Sequence, residues 1–155
     1  LISGVAFFAQ LEEGAGSGAW VVGLSSAICF SIGIISLFQG EAKISFSDWI
    51  ALFGAVIGLI LWQVADNPLL AIIFVTIADF LAFIPSFRKA FYKPYEETAI
   101  TWLASSLKFV LALIATKSYS LTTVLYPASL VLSNGSFLLM LLLRRRTLDK
   151  TEIKN

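Results

Sequence analysis

Five apolar runs, each about as long as a bilayer is thick, dominate this chain. They cover residues 19–39, 47–65, 69–87, 98–116 and 121–143, after a shorter opening run at 1–10. A helix needs about 20 apolar residues to cross a hydrocarbon core of about 30 Å, and it satisfies its own backbone hydrogen bonds there. The runs are continuous and not alternating, which favours helices over strands. We therefore predict an all-α, polytopic transmembrane helix bundle.

The composition agrees with the bilayer as the solvent of this chain. Hydrophobic residues make up 58% of the sequence and charged residues only 14%, against about 25% charged in a soluble domain. There is no histidine and one cysteine, Cys29, so we expect no metal, no cofactor and no intrachain disulfide. No nucleophile stands with a base, so an enzyme is not expected. No nucleic-acid partner is expected either.

The basic residues predict the orientation in the membrane. Successive polar breaks must lie on alternate sides, and one side then receives nine basic residues while the other receives one. This asymmetry is a strong positive-inside signal. The nine residues are Lys43, Arg88, Lys89, Lys93, Arg144, Arg145, Arg146, Lys150 and Lys154, against Lys117. We predict a multi-pass inner-membrane protein whose C-terminus is cytoplasmic, with a single transmembrane domain at 1–146 and a tail at 147–155.

Three polar residues fall deep inside the apolar runs. Asp79, Lys108 and Asn134 each lie nine or ten residues from the predicted cytoplasmic end of their helix. At 1.5 Å per residue this is roughly 14–15 Å, close to the middle of the core. Ser133 flanks Asn134. A lone charge at this depth is costly and usually marks a function, so these four residues are candidate substrate-binding residues.

Several interpretations of this layer remain open. Asp79 and Lys108 could form a structural ion pair with Asn134 as interhelical glue, or all three could line a polar substrate site. A Schiff base with a counter-ion is a third, weaker option. We expect the carboxylate and the ammonium to lie within about 4 Å of each other, or to share one wet cavity with Asn134. If the third helix lies between the other two, Asn134 stands between the charges.

The most charged segment, at 84–102, reads IPSFRKAFYKPYEETAITW. Carboxylates suit the positive start of a helix, so Glu96 and Glu97 are predicted to cap the helix at 98–116. Together with Lys93 they should close the loop electrostatically. The segment resembles the PQ-loop family, which includes the SWEET and SemiSWEET sugar transporters, and in particular a bacterial branch with the pattern P…RK…KP..E. Ser86 stands where that family has glutamine. The resemblance makes five residues candidates for structural or gating roles: Pro85, Arg88, Lys89, Glu97 and Trp102.

The resemblance implies three-helix repeats joined by a linker helix. The second repeat would be 69–143, the linker 47–65, and a partial first repeat 1–39. One helix would be missing before Leu1, which agrees with the lack of an initiating methionine. In SWEET-like proteins an asparagine on the third helix of each repeat binds substrate at the midplane, and Asn134 corresponds to it. The family's proline on the second helix has no counterpart in 98–116.

We therefore predict a small-molecule transporter with a polar site at the midplane. Its two repeats would rock about this site, as in other repeat-built transporters. A small polar or zwitterionic solute would be oriented by Asp79 and Lys108 and hydrogen-bonded by Asn134. The lipid bilayer and a second copy of the chain are the other candidate partners. The alternative is a non-transporting scaffold or accessory subunit of a larger complex.

Overall fold

The computed structural model describes residues 2–38 and 67–152, with isolated positions at 46, 49, 50, 53, 56, 57, 60 and 64. The predicted linker helix at 47–65 thus lies largely outside the described residues. The two continuous stretches fold into helices joined by short turns. The helices are α1 (Ile2–Glu12), α2 (Ser17–Phe38), α3 (Pro68–Tyr92), α4 (Ala99–Ile114) and α5 (Leu121–Glu152).

Three of the helices are long and apolar enough to cross a membrane. The qualifying segments are Ser17–Ile35, Pro68–Tyr92 and Leu121–Leu148. The fourth apolar helix, α4, has 16 residues and is about 24 Å long. Large apolar side chains such as Leu24 and Ile28 on α2 are exposed, as expected for a surface that lipid covers. The prediction of a helical membrane protein is confirmed at this level.

Two predicted helix ends are wrong. The end of the run at 87 was taken as a helix end, but α3 continues through Pro85 to Tyr92. Likewise α5 continues past 143 to Glu152, so much of the predicted tail is helical. Hydropathy marks where a sequence stops being apolar, whereas a helix ends where its backbone hydrogen bonds end. Lys, Arg, Leu and Glu are good helix formers, and they carry both helices beyond their apolar parts.

The helices form a ring in the order α1, α3, α5, α4, α2. α1 packs on α2 and α3, α5 packs on both α3 and α4, and α2 closes the ring on α4. α3 and α4 are consecutive in sequence but do not pack side by side. The third helix of the 69–143 segment therefore lies between the first and the second.

The turns at 13–16 and 115–120 meet at one end of the ring, called here the turn end. The Ser17 hydroxyl donates to the carbonyl of Ala115 at 2.8 Å, and the Lys117 amide donates to the carbonyl of Ala15 at 3.0 Å. The predicted placement of these two breaks on one side agrees with these contacts. The other end, called the loop end, carries the 93–98 loop and the part of α5 that follows Leu143.

A glycine allows the close approach of α2 and α4 at the turn end. A Cβ atom on Gly18 would lie 2.6 Å from the carbonyl oxygen of Ala112, too close for any side chain. The backbones can therefore touch only because position 18 has no Cβ. In contrast, a Cβ on Gly33 of the same helix would meet no atom within 4 Å.

Two hydrophobic clusters hold the helices together. The turn-end cluster consists of Val5, Ala6, Ala9, Val22, Ala71, Ile72, Val75, Ala78, Phe109, Tyr126 and Leu130. The loop-end cluster consists of buried Ala90, Phe137 and Leu141 with Phe83, Phe87, Ala99, Trp102 and Met140 packed around them. Between the clusters, α3, α4 and α5 each carry polar residues. This polar layer comprises Asp79, Ser106, Lys108, Ser133 and Asn134.

Candidate functional site

Asp79 is the acid of the polar layer. It lies one turn before Phe83, whose ring is 6.4 Å from that of Phe137 on α5. Residues four apart share a helix face, so Asp79 also faces α5, within electrostatic range of the buried Tyr126 hydroxyl. The side chain is half-buried. Within residues 2–38 and 67–152 its carboxylate forms no hydrogen bond or ion pair.

Lys108 is the base of the layer, and it turns towards α2. Its Nζ atom donates to the hydroxyl oxygen of Ser25 at 2.9 Å and lies 4.4 Å from the centre of the Phe109 ring. The Ser25 hydroxyl in turn donates to the carbonyl of Val21 at 2.7 Å, which leaves its lone pairs to accept from the ammonium. Lys108 has two further N–H donors, and no other described residue binds them.

The predicted ion pair between Asp79 and Lys108 is wrong. Both residues belong to the described part of the chain, where the ion pairs all involve residues 89–97. The prediction treated helices that are adjacent in sequence as adjacent in space. Because α5 lies between α3 and α4, the acid and the base approach the bundle from different sides. The helix order meets the condition of the alternative, since α5, which carries Asn134, packs on both α3 and α4, and the placement of the Asn134 side chain between the two charges stays a prediction.

Asn134 and Ser133 are buried on α5, with 5% and 9% of their surfaces exposed. The Asn134 amide donates from Nδ2 to the carbonyl of Leu130 at 2.7 Å, while its Oδ1 atom accepts no hydrogen bond from a described residue. The neighbouring Ser106 hydroxyl donates to the carbonyl of Val131 at 3.4 Å. The contact between α4 and α5 thus has a polar strip at the level of Asp79.

Two more polar groups are buried without a partner among the described residues. They are the Nε2 atom of Gln10 on α1 and the hydroxyl of Thr76 on α3. An unsatisfied buried group costs about 1–3 kcal/mol. Thr76 and Asp79 are three residues apart and share a face of α3. That face therefore presents both a hydroxyl and a carboxylate that no described residue satisfies. Neither Gln10 nor Thr76 is among the residues that the sequence predicts for the site.

The loop-end cluster seals the polar layer on one side. Trp102, predicted to be a gating residue, stacks on Phe137 with ring centres 3.8 Å apart. Phe83 meets the Trp102 ring edge-on at 5.8 Å, and Phe87 lies 4.9 Å from Phe137. These phenylalanines were not predicted, because apolar residues in an apolar run give no signal of their partners. The other candidates on α3, Pro85 and Arg88, are exposed.

Ion pairs connect the end of α3 and the loop that leads to α4. Lys89 binds Glu97 at 3.2 Å, and Lys93 binds Glu96 at 2.8 Å. The hydrogen bond from Lys93 lowers the pKa of Glu96, and the same bond raises the pKa of Lys93. The predicted electrostatic closure of the loop is confirmed. The predicted capping role is wrong, because both carboxylates bind lysines, and α4 begins after Thr98 with no side-chain cap.

Two arginines of α5 hold this loop from the side, and we call them the arginine clamp. The Nε and Nη2 atoms of Arg145 donate to the carbonyl of Pro94 at 3.0 and 2.9 Å, and Nη2 also donates to the carbonyl of Glu97. Arg144 donates from Nε to the carbonyl of Phe91 at 3.0 Å. In the sequence these arginines indicate only the orientation of the chain in the membrane, and their acceptors give no signal there.

The described residues contain no group of three histidine, cysteine or acidic side chains that could hold a metal ion. No family model matches the chain, and no curated protein or solved structure matches it either. The candidate site is therefore defined by its own geometry. It consists of an acid, a base and a buried amide on three helices, lying between two hydrophobic clusters.

Proposed function

We propose that the chain is a small-molecule membrane transporter of the PQ-loop or SWEET-like type, with a polar site at mid-membrane formed by Asp79, Lys108, Asn134 and Ser133. One observation carries the proposal: the polar layer holds an acid and a base that do not neutralise each other. If these charges only stabilised the bundle, pairing them would be expected, because an unpaired charge in the membrane is expensive. An acid and a base kept apart retain the capacity to bind a solute.

The chemistry of the layer favours a solute with groups of both charges. A solute ammonium would bind the Asp79 carboxylate, and a solute carboxylate would bind the two remaining N–H donors of Lys108. Both contacts are charge-assisted hydrogen bonds, which are stronger than neutral ones. Asn134, on the helix between them, offers Oδ1 as an acceptor. A zwitterion such as an amino acid fits this set better than a sugar does.

The position of Trp102 suggests how access would be controlled. Its stack on Phe137 joins α4 to α5 on the loop side of the layer. Passage of a solute to the loop end would require these rings to separate, by rocking of α4 against α5. On this proposal the basic loop end faces the cytoplasm, and the rings form the cytoplasmic gate.

A ligand screen followed by matched variants tests the proposal. Full-length protein purified in detergent is screened by thermal shift against amino acids, sugars, vitamins and organic acids. A ligand at 100 times its Kd stabilises the folded state by about 2.7 kcal/mol. The double variant Asp79→Asn/Lys108→Gln should lose the shift. The variant Lys89→Gln/Glu97→Gln removes the same charges from the loop and should keep it.

The transporter and the scaffold interpretations predict different results. Uptake of the identified ligand into proteoliposomes by the wild type, lost in the Asp79/Lys108 variant, supports the transporter. No shift across the screen, together with a stoichiometric partner that co-purifies with the protein, would replace the transporter with the scaffold interpretation.

A further inference from the structure

A groove on the surface of the loop end has a lining unlike the rest of the bundle. It has a volume of about 420 Å³, and α5 together with the end of α3 forms its walls. Apolar side chains, including Leu139 and Leu143, line one part of it, and Arg144 lies at the other part. The volume lies within the range of small-molecule sites, about 300–1,000 Å³.

Contacts hold the guanidinium of Arg144 in place, and part of its hydrogen-bonding capacity is left for a ligand. Its Nε atom donates to the carbonyl of Phe91 at 3.0 Å, and its central carbon lies 4.3 Å from the centre of the Phe91 ring. Its two terminal nitrogens donate to no acceptor in the described part of the chain. A fixed guanidinium with both terminal nitrogens available matches the geometry of a phosphate group.

The apolar part of the groove belongs to a helix that is long and apolar enough to cross a membrane. Leu139 and Leu143 are 59% and 55% exposed, and they belong to the spanning segment Leu121–Leu148. Arg144 follows directly after the apolar run, where the hydrocarbon core gives way to lipid headgroups. A ligand that satisfies both parts must have a long apolar chain and an anionic head.

We propose that this groove binds an anionic phospholipid, with its phosphate on Arg144 and one acyl chain along Leu139 and Leu143. Charge favours an anionic lipid over a zwitterionic one. Arg145 follows Arg144, and the nearby Glu96 and Glu97 already bind lysines. A choline or ethanolamine group would therefore meet a net positive surface, whereas a glycerol headgroup brings no opposing charge. Basic pockets at helix ends recognise anionic lipids in this way.

The test counts lipids bound to the purified full-length chain. Native mass spectrometry is run with phosphatidylglycerol and, in parallel, with phosphatidylcholine of the same acyl chains. The wild type should retain phosphatidylglycerol preferentially. Arg144→Gln should weaken that binding by roughly tenfold or more, the expected effect of losing a charge-assisted bond. Arg146→Gln removes the same charge from an exposed position and should bind like the wild type.

A second pair of variants distinguishes a loss of lipid binding in the groove from a disturbance of the fold. Arg144→Gln also breaks the bond to Phe91, so Ser136→Trp, which fills the groove without changing charge, should reduce binding as well. Leu142→Trp places the same bulk on an exposed position of α5 outside the groove and should have no effect. Equal retention of both lipids, equal losses in the two arginine variants, normal binding by Ser136→Trp, or displacement of the lipid by inorganic phosphate would each overturn the proposal.

Discussion

The loop end and the polar layer treat their charges in opposite ways. At the loop end, exposed lysines bind the exposed Glu96 and the half-buried Glu97, although ion pairs at a protein surface contribute only about 0–1 kcal/mol. In the polar layer, Asp79 has no described partner and Lys108 has one neutral hydroxyl, although lone charges there are expensive. Among the described residues, ion pairs thus form at the loop end, where each stabilises the fold little, and none forms in the polar layer, where a pair would stabilise the fold most. On the proposed function, this contrast follows because the loop end stabilises the fold and the polar layer binds a solute.

The largest effect is expected from the aromatic seal between the two regions. Replacing Trp102 with alanine removes the stack on Phe137 and leaves a cavity, so the free energy of unfolding should fall by about 3–5 kcal/mol. Trp20→Ala deletes the same side chain from a position that is 60% exposed and should cost less than half as much. Unfolding in mixed detergent and dodecyl sulfate measures both. Equal losses would mean that Trp102 does not seal the layer.

Breaking the arginine clamp should cost less. Arg145→Gln removes charge-assisted hydrogen bonds to the carbonyls of Pro94 and Glu97, and we expect a loss of about 2–3 kcal/mol. The matched variant Arg146→Gln changes an exposed arginine and should be close to neutral. The same unfolding assay compares them. If both variants were neutral, the loop end would not owe its stability to the clamp, and the contrast with the polar layer would weaken.

Neutralising Asp79 should stabilise the fold, whereas the two changes above destabilise it. Asp79→Asn removes a charge that no described residue compensates, so the free energy of unfolding should rise by about 1–3 kcal/mol. Thr76→Val removes an unsatisfied hydroxyl from the same face of α3 and should also stabilise the fold, by about 1 kcal/mol. A fall of about 3–5 kcal/mol in Asp79→Asn, the cost of breaking a buried pair, would show that Asp79 has a structural partner.

The smallest effect should come from the pair Lys93–Glu96. The pKa of Glu96 is lowered in the folded state, so its contribution is present above its unfolded pKa and is lost as the pH falls through the folded value. The pKa of Lys93 is raised, so its contribution is lost only as the pH rises through that raised value. Between about pH 6 and pH 9 the contribution of this pair to stability should therefore stay constant.

A thermal melting series checks this pH dependence. Wild type and Glu96→Gln should differ only slightly at neutral pH, and their melting temperatures should converge in acid, where Glu96 is protonated in both states of the wild type. Convergence between about pH 7 and pH 9 would contradict the raised pKa of Lys93, and a difference that persists in acid would contradict the lowered pKa of Glu96.

The sequence predicted the position of each polar residue along its helix better than it predicted the lateral arrangement of the helices, and the depth of these residues in a membrane stays a prediction. Helix rise is constant, so counting residues was enough to put Asp79, Lys108 and Asn134 in one layer between the two clusters. The partners of these residues depend on which helices are neighbours, and hydropathy contains no such information. Arg145 shows the same limit, since its acceptors are 48 and 51 residues away in the chain. The PQ-loop resemblance and the transported solute stay predictions.

The position of α5 between α3 and α4 also has a consequence for biosynthesis. α3 and α4 do not pack along their length and meet through the rings of Phe83 and Trp102 near the loop end, so the parts of the two helices closer to the turn end enter the bilayer without packing on each other. Helices in lipid insert first and associate afterwards, and here association within this unit must wait for α5. Until α5 has inserted, α3 carries Asp79 and α4 carries Lys108 in the bilayer. α5 is synthesised last of the three helices, and α3 and α4 assemble on it.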